Sequence, residues 1–159
     1  MDQLLPQAQE IATQLRARKH RLAIAESSTG GLVAAALLAQ PGASDYFLGS
    51  AVVYTQASRL AFLDLDPTAL VNVRPSTEAY ALIAARRVRE RLGADWALAE
   101  TGAAGPTGNR YGDAAGHSCI AVAGPIERAI TIETGRSDRI ANMREFAAAA
   151  LDLLRQALR

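Results

Sequence analysis

The chain has 159 residues, of which 50% are hydrophobic and 21% charged, with a formal net charge of +1. That length and balance suit a single domain, residues 1–159, around one core, and give no electrostatic case for nucleic acid or an anionic membrane as partner. The lone cysteine, Cys119, excludes an intrachain disulfide, and no apolar run approaches the ~20 residues that cross a bilayer, so a cytoplasmic location is expected by default.

Leu4, Leu5, Ala8, Ile11, Ala12 and Leu15 recur at helical spacing and predict a helix over residues 2–19. Residues 21–25 form a short strand, after which Glu26 and a small-polar turn lead into the apolar helix of residues 31–38. Pro41-Gly42-Ala43-Ser44 stops that helix. A strand over 47–54 and a short helix over 57–63 follow. Pro75-Ser76-Thr77-Glu78 starts the next helix, with Ser76 placed to cap it, and Gly93 ends it. Its Arg86, Arg87, Arg89 and Arg91 read as a solvated face. A third strand covers 95–99. Residues 100–116 are long, glycine-rich and irregular, which favours a functional loop. Strands at 117–123 and 129–134 make an antiparallel hairpin, and Ser137-Asp138 opens a final helix to about Leu158. Cys119 lies in an apolar run and is expected to be a buried thiol, not a nucleophile. Alternating helices and strands predict an α/β domain, a mixed sheet covered by helices on both faces.

In such sheets ligands bind beyond the carboxyl ends of the parallel strands. Two polar segments fall there, 26–31 and 100–116. In the first, Ser27, Ser28 and Thr29 offer hydroxyls, and free N–H groups at the following helix start would attract an anion. Gly30 and Gly31 would let a ligand approach the backbone. The same residues could also simply cap a helix. Nucleotide-binding glycine motifs and the hydrolase nucleophile elbow are absent. His20 and His117 are not placed for a Ser-His-acid triad, and two histidines with one cysteine lack zinc-ligand spacing. No cofactor or metal is called for.

Four segments, in order, resemble the signatures of the CinA C-terminal family, the bacterial nicotinamide-nucleotide amidases. They are Glu26-Ser27-Ser28-Thr29-Gly30-Gly31, Pro41 to Ser44, Val53 to Arg59, and Thr101 to Gly108. The resemblance covers nearly the whole chain. It implies a three-layer α/β/α domain with a mixed, mainly parallel sheet. It implies hydrolysis of the carboxamide of nicotinamide mononucleotide, a phosphorylated pyridine nucleoside, to nicotinate mononucleotide and ammonia. Ser27 would be the nucleophile, with Tyr54 beside it. Thr29-Gly30-Gly31 and the 101–108 loop, with Thr101, Gly102, Ala104 and Gly105, would hold phosphate, ribose or oxyanion, and Glu26 and Glu100 would flank them. A homodimer or higher homo-oligomer is also implied.

The chain departs from that pattern at one chemical position. Arg59 stands where the family has the lysine that serves as base. A guanidinium stays protonated and cannot take the serine proton. Lys19, the one lysine, lies outside the motifs. Tyr54, Glu26 or Glu100 could substitute. A partly desolvated Glu100 would have a raised pKa suited to that task. The residues after Gly108 also differ, which opens the substrate preference. Three functions therefore compete: a nicotinamide-nucleotide amidase, a nucleotide-binding module of the same fold with impaired catalysis, and an amidase for another small carboxamide.

Overall fold

The computed structural model describes all residues, 1–159. In chain order the elements are α1 (Leu5–Arg18), β1 (Leu22–Glu26), α2 (Leu32–Leu38), β2 (Phe47–Val52), α3 (Gln56–Leu63), α4 (Glu78–Leu92), β3 (Trp96–Ala103), β4 (His117–Ala123), β5 (Glu127–Glu133) and α5 (Arg139–Ala157). The strands form one sheet in the order β2-β1-β3-β4-β5. β1 pairs in parallel with β2 and β3, while β4 runs antiparallel to β3 and β5. Helices cover both faces, so the expected three-layer α/β/α architecture with a mixed sheet is observed. No helix is long and apolar enough to cross a membrane.

The two faces of the sheet are chemically unequal, and the strands' period of two is the reason. Leu22, Ile24, Trp96, Leu98, Ile120 and Val122 point to one side, where they pack with α1, α2 and α5. Ala23, Ala25, Ala97, Ala99, Ala121 and Ala123 point to the other, joined by Cys119. A face of methyl groups lets α4 approach closely through its own Ala81, Ala84 and Ala85, with Tyr80 and Val88 beside them. Cys119 is buried in that layer, as its apolar setting predicts.

Most boundaries shift by one to three residues from the sequence reading, and three differences bear on the site or its supports. β3 continues past Ala99 through Glu100 to Ala103, because these residues pair antiparallel with Ile120 to His117. Glu100 is therefore a strand residue, and the irregular loop begins after Ala103. Thr77, not Ser76, caps α4, its side chain accepting from the Tyr80 N–H. Ser76 instead adopts a left-handed conformation with φ of 60°. Its N–H donates to Thr101 Oγ1 and its carbonyl accepts from His117 Nε2, which ties this residue to β3 and β4. Asp138 alone caps α5.

The alanine face yields a stability prediction. Ala121 is fully buried between β4's neighbours and α4, so Ala121→Leu overpacks this layer and costs about 1–3 kcal/mol. Leu98→Ala on the opposite face leaves a cavity and costs about 2–5 kcal/mol. Urea unfolding midpoints check both.

Candidate active site

The turn after β1 is fixed by two buried carboxyl groups. Glu26 ends β1 and is fully buried. Its Oε2 accepts from the N–H groups of Gly31 and Val33 at 2.9 and 3.2 Å, and its Oε1 from the Ala34 N–H at 2.9 Å. This carboxylate fills the start of α2 from inside the protein. The helix-start donors that would have faced an anion are occupied. Glu26 is thus a support for the turn and does not face the cavity described below.

Glu100 holds the other side of the turn. Its Oε2 accepts from the N–H groups of Ser27 and Thr29, at 3.1 and 3.0 Å, and from Thr29 Oγ1 at 3.1 Å. Its Oε1 meets the hydroxyls of Ser28 and Ser118. Burial pushes the Glu100 pKa up, and these hydrogen bonds pull it back only in part. A neutral carboxyl fits the partners: one oxygen accepts from fixed backbone N–H groups, and the single O–H on the other can donate to one rotatable hydroxyl while that oxygen accepts from the second. The raised pKa expected from the sequence is present. The group's orientation suits positioning of Ser27, since its bond to that residue is to the backbone N–H.

Ser27 faces a cavity of about 520 Å³ at the carboxyl ends of β1 and β3. Tyr54, Arg59, Thr101 and Gly102 share its wall, so five residues singled out in the sequence meet there. The other seven do not line it. Besides Glu26 and Glu100, Thr29 is fully buried against Glu100. Gly30 and Gly31 take positive φ in the turn itself. The Ala104 carbonyl accepts from Asn142 Nδ2 at 2.8 Å, and the Gly105 carbonyl from Arg139 Nη1 at 2.6 Å, which ties this segment to α5. Gly102 is there for a close approach: a Cβ would lie 2.4 Å from the His117 carbonyl oxygen.

Tyr54 is 57% exposed, and its hydroxyl accepts from Arg139 Nη2 at 3.2 Å. Arg59 donates through Nε to the Thr55 carbonyl at 3.3 Å and lies 5.6 Å over the Tyr80 ring. The sequence reading missed Ser76, Tyr80, Arg110 and Tyr111 as cavity residues. Ser76 and Tyr80 were hidden by an ordinary helix-start pattern. Arg110 and Tyr111 lie in the stretch whose departure from the family pattern was legible, and that was the available signal. No group of His, Cys, Asp and Glu residues is arranged to hold a metal ion.

His117 braces the wall that carries Ser76. Its Nδ1 contacts Glu133, and its Nε2 lies 2.9 Å from the Ser76 carbonyl. Two acceptors call for two ring N–H groups, the imidazolium form. Burial opposes that charge, but Glu133, the Ser76 carbonyl and Asp113 outweigh it, and the pKa is raised.

Comparisons with known proteins agree with this architecture. The CinA C-terminal domain model matches residues 5–158. A CinA-like protein of Gloeobacter violaceus is 42% identical over 137 residues, which is 85% of this chain and 32% of that protein. A CinA-like protein of Synechocystis is 38% identical over 156 residues, 95% of this chain and 37% of that one. The chain thus spans 32–37% of the length of these curated relatives. The crystal structure of the competence or damage-inducible protein from Enterobacter asburiae matches with a TM-score of 0.91 and 26% identity over 98% of each chain. That of competence damage-inducible protein A from Klebsiella pneumoniae matches with a TM-score of 0.90 and 28% identity, covering 98% of this chain and 96% of that one.

Both raised pKa values have the same sign of linkage. A group whose pKa is higher folded than unfolded adds stability below its unfolded pKa, and loses it as pH rises through the folded value. Glu100 therefore costs stability as pH climbs above the ordinary carboxylate range. Glu100→Gln, which mimics the protonated form, flattens that slope in urea unfolding measured against pH. Separately, His117→Leu removes the loss of stability that begins above the ordinary histidine range.

Proposed function

The chain belongs to the CinA C-terminal domain family, and on that footing we propose that it hydrolyses the carboxamide of nicotinamide mononucleotide to nicotinate mononucleotide and ammonia. The observation that carries this reading is the meeting of Ser27, Arg59, Arg110 and the rings of Tyr54 and Tyr111 on one cavity. A serine hydroxyl supplies a nucleophile. The guanidinium groups suit a phosphate, which they can bind through paired N–H donors. The tyrosine rings offer flat surfaces for the pyridine ring.

In this proposal Ser27 Oγ attacks the carboxamide carbon and forms a tetrahedral intermediate. Tyr54 takes the serine proton on its hydroxyl oxygen while its own proton passes to the amide nitrogen. The C–N bond then breaks and ammonia leaves. Water attacks the resulting acyl-serine and releases the carboxylate with the free serine. Arg59 cannot serve as the base, because it stays protonated, and acts on negative charge instead. Glu100 fixes the Ser27 backbone and leaves the hydroxyl to the cavity. The assembly is proposed to be a homodimer or larger, in the cytoplasm.

A second reading rests on a specific observation: no carboxylate, histidine or lysine lines the cavity. On that reading the domain binds a phosphorylated nucleoside without turning it over. Ammonia release from nicotinamide mononucleotide separates the two. The amidase reading expects measurable release, abolished by Ser27→Ala. Arg59→Lys restores a titratable base and raises turnover by about 10²-fold or more, as general-base catalysis allows. Ligand-induced thermal stabilisation with no ammonia at high protein concentration would instead establish the binding module.

A further inference from the structure

The wall formed by Arg59, Arg110 and Tyr111 is shared by two cavities. One is the Ser27 cavity; the other, of about 200 Å³, adjoins it, shares Gln56 and Pro75 with it as well, and is floored by Leu65, Pro67 and Leu70. The two chambers differ in chemistry. The first carries the serine, threonine and tyrosine hydroxyls, while the second has an apolar floor and no hydroxyl apart from that of Tyr111.

The shared wall is cationic: Arg59 and Arg110 line both cavities, neither is in a salt bridge, and no acidic side chain lines either cavity. Arg59 is turned toward the Thr55 carbonyl and the Tyr80 ring, and Arg110 toward Tyr111. Two guanidinium groups lie on the Tyr111 ring, Arg110 at 5.1 Å and Arg74 at 5.5 Å from its centroid, and Arg74 itself is anchored by a two-pronged pairing with Asp113 at 2.6 and 2.9 Å. Two unneutralised guanidinium groups at a junction suit a ligand with two linked anionic groups there. An apolar chamber beyond them suits an uncharged planar group.

We propose that the site takes a dinucleotide, two nucleoside units joined by a diphosphate. The carboxamide-bearing unit sits in the Ser27 cavity, the diphosphate lies along Arg59 and Arg110, and the second base rests on Leu65, Pro67 and Leu70. This rests on the Ser27 cavity receiving a phosphorylated pyridine nucleoside, and it extends that reading to a longer substrate class. The second half adds contacts to the apolar chamber and one more phosphate to the cationic wall. It therefore strengthens binding without altering the groups near Ser27.

Isothermal titration of the full chain with nicotinamide mononucleotide and with nicotinamide adenine dinucleotide tests this. The dinucleotide is expected to bind at least tenfold more tightly. Pro67 is exposed at the rim of the second chamber, so Pro67→Glu sets a negative charge there without burying it. That variant is expected to reduce the dinucleotide's advantage severalfold, with circular dichroism confirming its fold. Equal or weaker dinucleotide binding overturns the proposal, as does an advantage that survives Pro67→Glu unchanged. Ammonia release is read in parallel. Mononucleotide turnover without a dinucleotide preference rejects the second chamber and leaves the amidase. Dinucleotide preference without turnover keeps the chamber and rejects the amidase. Binding of neither ligand rejects both.

Discussion

Two buried carboxyl groups, Glu26 and Glu100, hold the turn on which the candidate site depends. Between them they take five backbone N–H groups from residues 27–34. A buried carboxyl is costly unless its lone pairs are filled, and an irregular buried turn is costly unless its N–H groups find acceptors. Each solves the problem of the other. Ser27 is therefore set on a fixed backbone, with its hydroxyl on a cavity and its N–H facing the interior.

The rest of the cavity follows from how closely α4 lies on the sheet. The alanine face of β1, β3 and β4 brings the start of this helix to the carboxyl ends of the strands. Ser76 and Tyr80 reach the site by that route, and His117 fixes the Ser76 carbonyl from the neighbouring strand. The segment after Ala103 is held by α5 instead, through Asn142 and Arg139. Arg139 also meets Tyr54, so one arginine joins the third strand's loop to the end of the second strand. The site is consequently a product of several packed elements, and no single loop builds it.

The electrostatics of the cavity differ from those of the protein as a whole. The chain as a whole is nearly neutral, whereas the cavity is lined by two arginines and no acidic side chain. Acidic side chains near the site are turned inward or paired: Glu100 to the Ser27 turn, and Asp113 to Arg74. The cavity thus offers positive charge to a ligand even though net charge gave no indication of it. Arg59, at the position where the family resemblance leads one to expect a lysine, belongs to the same pattern. A guanidinium can pair with an anion but stays protonated and cannot accept a proton.

The sequence by itself determined the order of helices and strands and the covered mixed sheet, and its motifs named twelve candidate site residues, of which Ser27, Tyr54, Arg59, Thr101 and Gly102 line the cavity. Those are properties of periodicity, breakers and motif order, which are local along the chain. It also marked the segment after Gly108 as unusual. Tertiary structure alone decided the direction each polar side chain faces. Glu26, Thr29 and Glu100 sit in the same motifs as Ser27, yet they turn into the protein because fixed N–H donors await them there. Arg110 and Tyr111 turn onto the cavity because Arg74, paired with Asp113, stacks on the Tyr111 ring and steadies it. Spacing along a chain shows which residues arrive at a place, but the choice between ligand and backbone partners depends on contacts between segments far apart in sequence.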